Sequence, residues 1–101
     1  MSLTGFSQLT YPKQAAMVSI TNKATGGSIG TAAATVDIAT LINVNQTTAS
    51  QILTLPSPTN TTPGMVIGVV NTGTESFNIG SRTVADNSVI LLFWWDGSAW
   101  N

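Results

Sequence analysis

Seven side chains in the 101 residues carry formal charge: Asp37, Glu75, Asp86 and Asp96, against Lys13, Lys23 and Arg82. They are the whole stock for acid–base chemistry, because histidine and cysteine are absent. General acid–base catalysis near neutral pH relies on His, or on carboxylates whose pKa values are pushed apart. A Ser or Thr nucleophile needs an activating base, and only Lys13 or Lys23 would serve. Three of the four acids sit in turn contexts: Glu75 follows Asn71-Thr-Gly-Thr74, Asp86 precedes Asn87, and Asp96 precedes Gly97. Acids placed there bond their own backbone. No catalytic residue is assigned, and the chain reads as a non-enzyme.

Metal chemistry is equally thin. Without cysteine there is no thiolate zinc site. Calcium wants several nearby carboxylate oxygens, and no Asp-x-Asp-x-Asp run exists. Asp86 with Asn87 is too little alone, so only a site shared by three copies on a threefold axis stays open. No cofactor is implied.

The remaining chemistry is aromatic. Phe93, Trp94, Trp95 and Trp100 crowd the last nine residues. Tryptophans stack on sugar rings, and they also pack. On a strand, Phe93 and Trp95 share one face and Trp94 takes the other. A turn at Asp96-Gly97 brings Trp100 back beside Trp94 or Trp95 as a cross-strand pair. Aromatics on both faces suggest that one side packs a core and the other an interface. A carbohydrate-binding module using these tryptophans is the alternative of another class.

The elements that position these residues read as strands. β-Branched residues dominate, Gly and Pro recur, and Glu and Lys are nearly missing, so helix propensity is low. Residues 1–13 read as an extended arm with Phe6, Leu9 and Tyr11 as apolar anchors, and 14–101 as one β domain. Ala16–Thr21 is a first strand. The best helical stretch is Ile29–Ala39, with its three alanines at 32–34. Thr35–Val44 nevertheless reads as a strand, with Val36, Ile38, Thr40, Ile42 and Val44 on one face. That face is core or trimer interface. Ser50–Leu55 is a short strand stopped by Pro56, and Pro56–Pro63 favours irregular structure. Met65–Asn71 is an apolar run of the kind found in buried strands. Asn71–Thr74 reads as a hairpin turn into a return strand at Glu75–Ile79, and Gly80-Ser81 turns into Arg82–Val84. Ser88–Trp95 is the last long strand. Closely spaced turn signals and short strands predict a small antiparallel β-sandwich or barrel.

Composition sets the context. Charged residues make up 7% of the chain, against about a quarter in an ordinary soluble domain. Three scattered basic residues form no patch for nucleic acid. No apolar stretch reaches the length of a transmembrane helix. The opening MSLTGFSQLTYPKQ has no basic segment followed by an apolar run, so folding in the cytoplasm is the expectation. A domain of about 100 residues buries only about two-thirds of its unfolded surface. Without disulfides or metals, association with other chains is the expected source of further stability.

From Leu53 to Trp100 the chain resembles a module that recurs in tailed-bacteriophage virion proteins: tail fibres, head fibres and capsid decoration proteins. The resemblance rests on Thr54-Leu55-Pro56, Gly64 opening an apolar strand to Val70, Asn71-Thr-Gly-Thr74, and the closing Trp95-Asp-Gly-x-x-Trp100. Where such modules carry Gly-Gly and Pro-Gly turns, this chain has Gly80-Ser81 and Asp86-Asn87. The resemblance implies a homotrimer on a virus particle, made in the cytoplasm of a bacterial host. A chain this short, without room for a shaft, points to a capsid decoration protein bound to the major capsid protein on the outside of a head. The arm with Phe6, Leu9 and Tyr11 would reach the capsid or a neighbouring subunit. A tail, baseplate or fibre structural protein is the alternative.

Overall fold

A computed structural model describes residues 16–101. The arm anchors Phe6, Leu9 and Tyr11 lie outside the described residues. Eight short strands run in the order β1 (Met17–Ile20), β2 (Gly27–Ser28), β3 (Leu41–Val44), β4 (Gln51–Thr54), β5 (Val66–Asn71), β6 (Phe77–Ile79), β7 (Arg82–Val84) and β8 (Leu91–Trp94). No helix occurs among the described residues. The strands form two four-stranded sheets. Sheet A has the order β1-β3-β5-β8, and sheet B the order β2-β4-β6-β7.

The all-β expectation holds, but the pairing is mixed rather than antiparallel. Four pairs are parallel, β1 with β3, β3 with β5, β2 with β4 and β4 with β6, and two are antiparallel, β5 with β8 and β6 with β7. The reason lies in the path of the chain. Parallel neighbours need a long crossover connection. Here each crossover runs through the opposite sheet, so the chain coils A to B and back. Met17 pairs with Leu41 and Leu41 with Gly68. Three coils stack this way. After β6, Gly80 adopts φ 60°, the chain reverses, and β7 and β8 lie antiparallel on the third coil.

Each coil leaves sheet A at a corner, and the corners are held by amides. Gln46 and Asn71 are completely buried. Gln46 accepts from Lys23 N–H (3.0 Å) and donates Nε2–H to the carbonyls of Lys23 (3.1 Å) and Thr48 (2.9 Å). Asn71 Oδ1 accepts from Gly73 N–H (2.9 Å) and Gln46 N–H (3.4 Å), while Nδ2 donates to Glu75 O (2.7 Å). Asn22 Oδ1 accepts from Thr47 and Thr48 N–H (2.8 and 3.0 Å). An amide suits this place because one side chain both donates and accepts, and so satisfies two stacked turns at once. The expected hairpin at Asn71–Thr74 is therefore a corner between sheets. Glu75 N–H donates to Gln46 O of the coil below (3.0 Å).

Between the sheets, Ile42, Val44, Ile67, Val69 and Phe93 from sheet A meet Leu53, Phe77, Ile79 and Val84 from sheet B. Ile29, Val36 and Ala39 close the side where the chain returns from B to A. The strand expected to begin at Thr35 begins at Leu41 instead. Residues 32–38 wind into tight turns, in which Thr35 Oγ1 donates to Thr31 O (2.7 Å) and Ala39 N–H to Thr35 O (2.8 Å). The alanines and the buried threonine hydroxyl favour the turn over extension. As a result Val36 is buried while Ile38 is 60% exposed, and the two do not share a face.

Two substitutions test the corner. In Gly73→Ala the new Cβ would lie 2.0 Å from Gln46 O, and Gln46→Ala strips the part-buried backbone groups of Lys23 and Thr48 of their partners. Each is expected to cost about 3 kcal/mol or more in chemical denaturation. A loss below about 1 kcal/mol in both would show that the corners do not hold the coils together.

Candidate interaction surface

The charged residues do not converge. Among the described residues no group of three or more acids gathers. Asp96 Oδ1 accepts from Ser98 and Ala99 N–H (both 2.8 Å), and Oδ2 accepts from Asn101 Nδ2–H (2.9 Å). Asp37 takes Thr59 N–H (3.0 Å) and Oγ1–H (2.6 Å), tying the turns at 32–38 to the proline-rich loop. The Asn101 amide foremost, then the Ser98 and Ala99 N–H groups, hold the Asp96 carboxyl below its ordinary value of 3.8. The Thr59 hydroxyl and then its N–H do the same for Asp37.

The aromatic cluster divides as the strand periodicity predicts. Phe93 and Trp95 are buried, and Trp94 is 49% exposed. The Asp96-Gly97 turn returns Trp100 to Trp95, with ring centroids 5.4 Å apart and planes tilted by 60°. Trp95 Nε1–H donates to Thr61 O (3.1 Å) and Trp100 Nε1–H to Pro56 O (2.9 Å). Proline supplies carbonyls but no donors, so the two indoles satisfy a loop that cannot satisfy itself. Gly97 follows at φ 100°, close against Pro63. A cleft of about 580 Å³ opens beside them, lined in part by Leu55, Ser57, Arg82 and Trp100. The Arg82 guanidinium stacks 4.4 Å from the Phe93 centroid and donates to Leu92 O (2.6 Å). Both indole N–H groups are committed to the fold, which leaves Trp94 as the tryptophan turned outward.

Trp94 belongs to a larger surface. Ile42, Val44, Ile67, Val69 and Phe93 point inward, so the alternate positions form the outer face of sheet A: Met17, Leu41, Val66, Gly68, Leu92 and Trp94, and nearest the corners the row Ser19, Asn43 and Val70. The register aligns Met17, Leu41, Gly68 and Leu92 in one row, with Val66 opposite Trp94. A Cβ on Gly68 would come within 2.7 Å of Ile90 Cγ2 and 3.1 Å of Leu41 Cδ1, so both side chains close over that glycine. None of the four strands of sheet A carries a charged residue. The outer face of sheet B is different. Asn78 and Thr83 face each other there and hydrogen-bond (2.9 Å), and Ile52 is its large apolar side chain.

Of the residues singled out as core or interface, Val36, Ile42, Val44, Phe93 and Trp95 are in the core and Trp100 is packed against it. Ile38 and Trp94 are outside. Sequence reasoning missed Met17, Val66, Ile90 and Leu92. The available signal was that Met65–Asn71 and Ser88–Trp95 are apolar on both faces while only one face can meet sheet B. Comparison with protein-family models, curated proteins and solved structures finds no match.

The two carboxylate turns predict a pH dependence. A carboxyl held below its unfolded value contributes stability that is present above pH 3.8 and is lost as pH falls through the folded value. The wild-type Tm is expected to fall slightly more steeply between pH 5 and 2 than that of Asp37→Asn/Asp96→Asn, the effect being small because both carboxylates are screened by solvent. Equal slopes would show that the ionised carboxylates do not hold these turns.

Proposed function

We propose that this chain is a structural protein of a tailed-phage particle, a decoration protein that binds the outside of the assembled head as a homotrimer and contacts the major capsid protein. The observation that carries this reading is the largely apolar outer face of sheet A, whose strands carry no charge. A face of that kind serves association with protein, and the described acids are engaged in turns or stand apart. The setting comes from the resemblance of Leu53–Trp100 to virion modules. The fold gives its parts physical roles: the Asn71 corner ties the third coil to the second, and the tryptophan pair holds the proline loop. Cementing would work through many weak contacts multiplied by trivalency.

A tail-fibre or baseplate role has one observation in its favour. After β6 the coil ends in a reversal onto β7 and β8, whereas among the described residues β1 and β2 form a plain parallel edge at its start, the arrangement expected at the end of a stack of coils. Quantitative mass spectrometry of purified particles separates the two. Hundreds of copies per head are expected for decoration. A small multiple of three would move the protein to the tail, and absence from particles would overturn the virion reading.

A further inference from the structure

We propose that copies of this chain associate with one another through the outer face of sheet A, with Val66, Leu92 and Trp94 at the centre of the contact. This rests on the reading of the chain as a self-associating structural protein and assigns the surface that does it.

Six large apolar side chains make up the exposed part of the face. Met17, Val66, Leu92 and Trp94 stand on the strands, Ile90 lies over Gly68, and Ile38 shares a shallow groove with Val66. Each is between 49% and 61% exposed. With about 200 Å² for a large apolar side chain, they leave roughly 600 Å² uncovered. That is the upper end of what a monomer normally exposes, about 300–600 Å², and approaches the ~800 Å² per partner of a stable interface.

Symmetry favours a second copy as the occupant. In a symmetric contact the same patch meets itself or its equivalents, so a charge near the axis repels its own image. The strands of sheet A carry none; Asp37, at the rim of the Ile38–Val66 groove, is engaged by Thr59, and Arg82 is held on Leu92 O at the edge of β8. The polar side chains of the face, Ser19 and Asn43, stand in the row nearest the corners, where Asn43 Oδ1 accepts from Thr72 Oγ1–H (2.9 Å), and away from Val66 and Trp94 at the other end. Sheet B offers no comparable surface, since Asn78 and Thr83 occupy the centre of its outer face.

The test is the molar mass of the full chain by size-exclusion chromatography with light scattering. Wild type is expected at a multiple of 10.5 kDa. Val66→Glu and Leu92→Glu should weaken association at least tenfold, whereas Ile52→Glu on sheet B should leave it unchanged. Circular dichroism checks that the variants fold. A second readout needs no disruptive variant. Trp94 emission should shift to the blue as concentration rises, and Trp94→Phe should lose that shift while still associating.

A wild type that is monomeric at every concentration overturns both the trimer and this surface. An oligomer indifferent to Val66→Glu and Leu92→Glu, or a Trp94 emission that does not change with concentration, overturns the surface alone. A wild-type monomer that associates only after residues 2–11 are deleted overturns both as well, because the chain's own N-terminal segment would then be the cover.

Discussion

The fold depends on turning the chain from one sheet to the other three times without stranding backbone groups between them. Each corner has an outer side open to solvent and an inner side built around Asn22, Gln46 or Asn71, the last two fully buried, so inward-facing backbone groups there need protein partners. The amides of Asn22, Gln46 and Asn71 supply what water would. Gln46 reaches down to both backbone groups of Lys23, and Asn71 accepts from the N–H of Gln46. Each amide therefore fixes its own corner and the height of the next one. Parallel strands have no tight turn to set their register, and here the corners set it. Gly73 is the counterpart of this arrangement, because any side chain there would overlap the Gln46 backbone.

The two ends of the coil are treated differently. At the last coil, Asn101 exchanges hydrogen bonds with Trp94 (2.8 and 3.0 Å), and Arg82 caps Leu92 O. Those contacts occupy backbone groups on the free side of β8, which blunts an edge that would otherwise template further pairing. The Trp95–Trp100 pair then anchors the proline loop beneath. Closure is thus concentrated in the last residues, where the aromatics are. It uses their N–H groups as much as their area.

Local chemistry was legible in the sequence and long-range path was not. The strands at Met17–Ile20, Gln51–Thr54 and Arg82–Val84, the turns at Gly80-Ser81 and Asp96-Gly97, and the return of Trp100 all follow from period two and turn propensity. Asn71-Thr-Gly-Thr74 shows the limit. Its turn chemistry is the same whether the next strand pairs beside β5 or crosses to the other sheet. The Gln46 backbone, 25 residues earlier, decides between them. Thr35–Thr40 shows a second limit, since its β-branched alternation competes with an alanine run, and the buried Thr35 hydroxyl tips the balance locally. The outer face of sheet A was half legible. Trp94 was placed opposite Phe93 and Trp95, but Val66 and Leu92 lay inside runs apolar on both faces, where periodicity carries no direction.

That face also bears on how a nearly uncharged protein achieves specificity. Charged rims usually steer partners and reject wrong registers, and the strands of sheet A have no charge to offer. What remains is shape. Ile90 and Leu41 close over the buried Gly68, which flattens that row, while Trp94 stands beside Val66 as the largest projection. A second copy docking as proposed would have to accept the indole at a position fixed by the strands, and those strands are held in place by the amide corners. Rigid amides inside and an uncharged relief outside are thus two halves of one arrangement. The corner column fixes where each strand sits, and the strand positions are the only code the outer surface has.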